Sequence, residues 1–336
     1  MTDRTIFEGI LPEESSYDPR SSHLVAGMRQ ELSNENVQVN REAMIPFGIT
    51  GLDKVTYGMN TNTGEFVLFQ AQEKNRKTTL AINTLCNIMQ YDASRRPMTV
   101  IDVLESAMNS KAYRNAIVVN LAGRYLFSKG HVAGRHCKIC GGSCKELTIS
   151  FRNIGLITKS PAQWEALEFG MDEFASWPLH IYGAGLMEGT TRRLKTASDR
   201  WKILAETFGA KLLIVDHLQQ YYDPEFPEET AYGRLERAIP VLSNTVAENH
   251  MIAIALSQVS LTSVRDSKSG QGKLTAMGGA KGAAESSIII TTKYIPDTYE
   301  MMVLLENSRY GGNVPIMVGI DKESGAQIPG DERVSI

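Results

Sequence analysis

Residues 66–89 read FVLFQAQEKNRKTTLAINTLCNIM, and the way this stretch divides decides the fold. FVLFQA is an apolar run of strand length, whereas from Lys77 onward apolar side chains recur at helical spacing. A strand that passes through a short polar loop into a helix leaves the free amides of the helix N-terminus just beyond the strand tip. Those amides bind anions, and a Lys and a hydroxyl residue at the helix start add charge and a metal-facing oxygen. Lys77 and Thr78 are such a pair. Against the pattern G-x-x-x-x-G-K-[ST] both match, while the two glycine positions hold Ala71 and Arg76. Ala71, Lys74, Asn75, Arg76, Lys77, Thr78 and Thr79 are therefore the expected binding residues for a triphosphate with Mg²⁺.

Outward from this segment, short apolar runs recur at 98–103, 211–215, 251–256, 286–292, 301–306 and 314–320. Helical patterns separate the first four of these seven strands, which predicts an α/β fold with a doubly wound, mainly parallel sheet. Such a sheet gathers chemistry at the carboxyl ends of its strands. Asp216 ends KLLIV, where a carboxylate holds a Mg²⁺-bound water. Glu105 follows MTVIDV in VLESAM, the place for a base that polarises an attacking water. Ser257 and Gln258 close MIAIAL, where a polar side chain feels a terminal phosphate.

Composition narrows the function classes. With 35 Lys+Arg against 38 Asp+Glu the formal charge is −3, so no global basic field exists and any nucleic-acid site must be local. No apolar run reaches the roughly 20 residues of a membrane helix, and the start lacks a signal-peptide layout, so the expectation is a cytoplasmic protein without membrane association. One local basic segment stands out. Residues 265–281 carry Arg265, Lys268, Lys273 and Lys281 against Asp266 among several glycines, a composition that lays backbone amides and ammonium groups along phosphates without reading bases.

Residues 128–148 break the strand–helix alternation and hold Cys137, Cys140 and Cys144 within eight positions. Three thiolates at this spacing predict a structural zinc site, in which the metal replaces a missing apolar core. His131 is the preferred fourth ligand; His136 is the alternative, but it adjoins Cys137 and strains a tetrahedral arrangement. Cys86 lies in the helix after the phosphate loop and reads as a small buried apolar residue.

The ordered set of motifs resembles the RecA-fold core of DnaB-type hexameric replicative helicases, and to a lesser degree the bacterial RadA recombination ATPases. GITGLDKVTYGMNTNTGEFVLFQAQEKNRKTTLAINTL is similar to that family's entry into its P-loop, in which Ala is common at the first glycine position. VLESAM, LLIVDHLQ and IAIALSQVS are similar to the segments carrying its catalytic Glu, its Asp-Tyr-Leu-Gln motif and its Gln. SRYGGNVPIMVGID resembles the late motif whose Arg reaches the neighbouring subunit's nucleotide. The resemblance spans about residues 46–322. It implies ATP, with Lys77 on the β and γ phosphates, Thr78 and Asp216 placing Mg²⁺, Glu105 activating water, Gln258 sensing the γ-phosphate and Arg309 acting in trans. It implies a homo-oligomeric ring, a hexamer, around single-stranded DNA held by the 265–281 loop, with a primase or helicase loader as partner.

The implied organisation is an N-terminal arm and linker helix over 1–45, with a helix near 24–32, then a RecA-like ATPase domain over 46–330 with the zinc insertion at 128–148. Two departures from the family pattern raise another expectation. Arg76 stands where a glycine lets backbone approach phosphate, so its side chain must point away or cover the nucleotide, and Asn307 replaces a Lys two residues before Arg309. The likeness to RadA implies one alternative function, a recombination ATPase, and these departures motivate another, a non-hydrolysing RecA-fold scaffold or DNA-binding subunit.

Overall fold

The computed structural model describes residues 43–104, 110–131, 149–150, 154, 160–183, 192–227, 229–258, 286–308 and 314–334. Five of the expectations above lie wholly or largely outside them: the helix near 24–32, Glu105, the three insertion cysteines, the loop 265–281 and Arg309. The chain divides into two compact units after Met44, and the second, Ile45–Ile336, carries the sheet.

Nine strands form that sheet: β1 (Glu65–Ala71), β2 (Thr99–Val103), β3 (Leu179–Gly183), β4 (Leu212–Asp216), β5 (Ile252–Gln258), β6 (Ile288–Ile295), β7 (Glu300–Ser308), β8 (Val314–Ile320) and β9 (Gln327–Val334). Their spatial order is β9-β8-β7-β6-β1-β5-β4-β2-β3. From β6 to β3 all neighbours are parallel; β7, β8 and β9 add an antiparallel meander. The helices are α1 (Thr50–Thr56), α2 (Lys77–Tyr91), α3 (Ser110–Ser128), α4 (Pro161–Ala175), α5 (Leu194–Phe208) and α6 (Ala231–Glu248).

The continuous apolar runs of β1, β4 and β5 follow from their place in the middle of a parallel sheet covered on both faces. Strand alternation assigns the two faces. Val67 and Phe69 join Leu80, Leu85 and Ile117 in the core under α2 and α3. Phe66 and Leu68 turn the other way, to Trp201, Leu235 and Leu242 under α5 and α6. Each such side chain contributes about 1.5–3 kcal/mol by leaving water. Helix ends follow local chemistry too: Ser160 and Gln163 form a reciprocal capping box with Pro161 at the first turn of α4. Gly209 closes α5 at φ 67°, where a side chain would be strained.

Two strands of this nine-stranded sheet go beyond the seven expected from sequence, and both lie at its edges. β3, LHIYG, is only partly buried and shows no clean apolar run. β9, QIPGDERV, holds Pro329, Gly330 and three charges, and reads as a loop. An edge strand needs partners on one side only, which is why it tolerates a proline without an N–H. Cys86 is fully buried and free, and burial pushes its thiol up to about 11, so it behaves as the apolar residue expected.

Candidate nucleotide site

The strand order brings four tips into one row. Ala71 at the end of β1 registers with Gln258 at the end of β5, and Val103 near the end of β2 registers with Asp216 at the end of β4. Leu104 continues the last pair, its N–H donating to the Asp216 carbonyl at 2.7 Å. β5 stands between β1 and β4, so Gln258 lies between the phosphate-loop strand and the Asp216 strand. The row forms at the carboxyl ends of a parallel sheet, where doubly wound folds place ligands.

Across this row the Thr78 hydroxyl donates to Asp216 Oδ2 at 2.8 Å. Thr78 is the second residue of α2, and Asp216 is fully buried. A hydroxyl and a buried carboxylate in contact are hard oxygen donors, the set that suits Mg²⁺ with its retained waters. Lys77, at the first position of α2, stands beside them with its charge at the positive end of the helix. These residues fit a magnesium–triphosphate.

The loop preceding α2 is tied down on its far side. Asn75 N–H donates to the Gln72 carbonyl at 3.2 Å. The Thr292 hydroxyl donates to the Asn75 carbonyl, and Tyr294 N–H to Asn75 Oδ1, each at 3.2 Å. β6 therefore positions the loop, and the turn between β8 and β9 supports the helix start. Asn83 of α2 donates to the Thr79 carbonyl at 2.9 Å and to the Gly325 carbonyl at 2.8 Å. Asp321 organises that turn by accepting from Ser324 N–H and hydroxyl at 2.7 and 2.6 Å.

Arg76 is placed by its backbone. It adopts φ 57°, ψ 33°, and Lys74 also has φ 67°, so both occupy the left-handed region that favours glycine. The Arg76 guanidinium lies over the Tyr294 ring, 4.0 Å from its centroid, and donates to the Lys322 carbonyl at 3.3 Å. The side chain is thus held against β6 and the β8–β9 turn. The left-handed backbone costs about 1–2 kcal/mol for a residue with a Cβ, and a cation–π contact returns about 0.5–1 kcal/mol. Arg76→Gly removes both terms and should leave stability within about 1 kcal/mol of the parent. Arg76→Ala keeps the strain, loses the contacts and should be the less stable of the two, a ranking that chemical denaturation reads directly.

On the other side of the row, Gln219 Nε2 donates to Ser257 Oγ at 2.8 Å and to the Gln258 carbonyl at 3.1 Å, fixing the end of β5. His217, next to Asp216, is 7% exposed. Gln220 Nε2 lies 3.1 Å from His217 Nε2. Burial, then the charges of Lys77 and Arg192, push the His217 pKa down to about 4. Arg192 NH2 donates to the Leu104 carbonyl at 3.1 Å. Neither residue was expected at the site. His217 stands where the DnaB-type motif has Tyr, which is a visible signal, but Arg192 falls in a stretch without any recognisable motif.

Of the expected residues, Ala71, Lys74, Asn75, Arg76, Lys77, Thr78, Thr79, Asp216 and Gln258 all lie on the row or on the loop and helix start that face it. His131 lies just beyond α3, its N–H donating to the Leu126 carbonyl at 2.9 Å. No cluster of three or more His, Cys, Asp or Glu able to hold a metal occurs among the described residues, and the three cysteines lie outside them.

The same architecture recurs in solved structures. A separately solved ATPase domain aligns over 94% of this chain and 99% of its own, with a TM-score of 0.66 at 18% identity. A DnaB-like replicative helicase, described with its interactions with primase, aligns over 94% of this chain and 67% of its own, with a TM-score of 0.67 at 17% identity. The fold is that of a RecA-like ATPase core. No protein-family model and no curated protein matches the sequence, so the likeness is one of fold. Within the RecA-like core, the Thr78–Asp216 contact joins the phosphate-loop helix to the strand two places along the sheet. No helix among the described residues is long and apolar enough to cross a membrane.

Proposed function

We propose that this chain is an ATP-driven motor on single-stranded DNA, a helicase or translocase of DNA replication that works as a hexameric ring. The contact between Thr78 and Asp216 carries the reading, because it joins a phosphate-loop hydroxyl to a buried strand-end carboxylate beside Lys77. Lys77 holds the β and γ phosphates, Thr78 and Asp216 hold Mg²⁺, and Gln258 faces the γ-phosphate from the neighbouring strand tip. Mg²⁺ supplies charge neutralisation on the phosphate oxygens when bound. Glu105, which follows Leu104 in sequence, polarises the attacking water. Arg309 completes the neighbouring subunit's site, the 265–281 loop grips DNA phosphates, and a primase or loader is the partner of the assembled ring.

The chain organisation proposed with this function is the one expected from sequence: arm and linker helix over 1–45, ATPase domain over 46–330. The non-hydrolysing alternative rested on Arg76 and Asn307. The placement of Arg76 against Tyr294 and Lys322 weighs against it, since the guanidinium is engaged outside the Thr78–Asp216 row.

Glu105→Gln tests the reaction chemistry. The variant should bind ATP with unchanged affinity and turn it over at least about 10²-fold more slowly, the usual worth of a positioned base. Unchanged turnover removes Glu105 from the site.

Zinc at 128–148 is proposed with Cys137, Cys140 and Cys144 as thiolate ligands and His131 as the fourth. Elemental analysis of the native protein should find about one zinc per chain, lost in the Cys137→Ser, Cys140→Ser double variant. Metal-free native protein refutes the site.

A further inference from the structure

Residues of α2, α3, α4 and β9 line a cavity of about 350 Å³ at the end of α2 away from the phosphate loop. Gln90, on its wall, lies roughly 20 Å along the helix from Lys77, so the cavity is separate from the Thr78–Asp216 row. Asn87, Gln90 and Gln327 bring amide groups to it, and Arg124 brings a charge. Tyr125 and Phe169, stacked with ring centroids 4.7 Å apart, form an aromatic wall. A concave space of this size, with an apolar wall and a few polar groups, is built like a small-molecule site.

Arg124 decides what kind of molecule fits. Arg96, Arg200 and Arg237 each meet a carboxylate, that of Glu173, Asp102 and Glu229 respectively. Arg124 meets only neutral oxygens. Its Nε donates to Asn120 Oδ1 at 2.9 Å, Nη1 to Gln90 Oε1 at 3.2 Å, and Nη2 to Oδ1 and the carbonyl of Asn83 at 3.0 and 3.2 Å. Two carboxylates bond to lining side chains, Glu332 to Gln327 and Glu165 to the Tyr125 hydroxyl. Neither forms an ion pair with Arg124, and no other carboxylate among the described residues does. A guanidinium has five N–H donors, so one on Nη1 is left over beside Gln90. A partly buried cation without a counter-charge is unfavourable, and a bound anion relieves it. Lys129 adds a second positive charge, 5.0 Å from the centroid of the Tyr125 ring.

We propose that this cavity binds a small organic anion, a carboxylate or phosphate carried on a planar ring, with its charged group on Arg124 and its ring against Tyr125 and Phe169. Both anions suit the arginine fork, and a flat body suits an aromatic wall. The volume is about ten times that of one water molecule, so a bare inorganic anion would fill little of it. One residue links the cavity to the phosphate loop: Asn83, which accepts from Arg124, donates to the Thr79 carbonyl at 2.9 Å. The site stands independently of the ATP-site reading.

Calorimetry of the full chain with benzoate, phenyl phosphate, inorganic phosphate and neutral benzamide tests it, in the presence of a non-hydrolysable ATP analogue and Mg²⁺ to keep phosphates off the other site. Benzoate or phenyl phosphate should bind saturably, the tighter of the two identifying the anionic group, and benzamide and inorganic phosphate at least about 10-fold more weakly. Gln90→Glu places a carboxylate where Gln90 Oε1 already accepts from Arg124. It should weaken the ring anion about 10-fold and raise the melting temperature of the ligand-free protein. Phe169→Ala should weaken the ring anion and leave inorganic phosphate unchanged. Benzamide binding as tightly as benzoate, parent-like binding of the ring anion by Gln90→Glu, or no saturable binding of any probe overturns the proposal. So does a lower melting temperature of Gln90→Glu, which would show that Arg124 lacks no counter-charge.

Discussion

Lys77→Ala is expected to lower ATP turnover on the order of 10³-fold while leaving the protein folded. Two features of the structure separate these effects. Lys77 is the first residue of α2, is only partly buried, and takes no part in either apolar core, so its truncation should change stability by less than about 0.5 kcal/mol. Its charge nevertheless sits at the helix N-terminus beside Thr78 and Asp216, where developing charge on a transferred phosphoryl group would concentrate. Steady-state hydrolysis and a thermal melt of the same preparation check the pair of outcomes. A variant that hydrolyses normally would show that the observed turnover arises elsewhere, and one that fails to fold would contradict the placement of Lys77 outside the apolar cores.

Asp102→Ala should be the most destabilising single substitution considered. Asp102 of β2 is 1% exposed, and its carboxylate accepts from Arg200 NH2 at 2.6 Å, Trp201 Nε1 at 2.8 Å and the Tyr221 hydroxyl at 2.7 Å. Arg200 also stacks over Tyr182 of β3, with Cζ 4.5 Å from the ring centroid. One carboxylate thus joins β2, α5 and the segment after β4. Burial, then the negative charge of Asp102, raises the Tyr221 hydroxyl well above its usual range, so it stays a donor at any physiological pH. Removing Asp102 leaves a largely buried guanidinium, an indole N–H and a hydroxyl without their shared acceptor, at a cost of about 3–5 kcal/mol. That corresponds to a melting temperature lower by roughly 6–10 °C. Asp102→Asn retains an acceptor oxygen and should fall between the two. A loss below about 1 kcal/mol in the alanine variant would mean that the network contributes little and that the cores alone hold β2.

The residues that announced themselves in the sequence were those whose chemistry and period coincide. FVLFQA followed by a polar loop and a helical pattern exposed β1, α2 and the phosphate loop together, and Asp216 was readable because it ends an unbroken apolar run. Parallel strands buried on both faces carry this signature; edge strands do not. β3 and β9 escaped because partial exposure and, in β9, Pro329 and Gly330 erase the pattern. Arg192 escaped for a different reason: its place is set by the bridge between Arg193 and Tyr222 and by the Leu104 carbonyl, contacts between segments far apart in the chain. Arg76 shows a limit of motif reading. The glycine consensus names a conformation, and here an arginine adopts that left-handed conformation while Tyr294 and Lys322 take up its side chain. No property of residues 71–79 alone reveals that Tyr294, more than two hundred positions away, is the platform.

ATP hydrolysis by the full chain with Mg²⁺, measured with and without single-stranded DNA and with Lys77→Ala to exclude contaminating activity, decides whether the protein is a DNA-stimulated motor. Turnover should rise severalfold with DNA and disappear in the variant. Intact DNA binding without any Lys77-dependent hydrolysis would contradict this and leave a RecA-like chain that binds DNA as a scaffold.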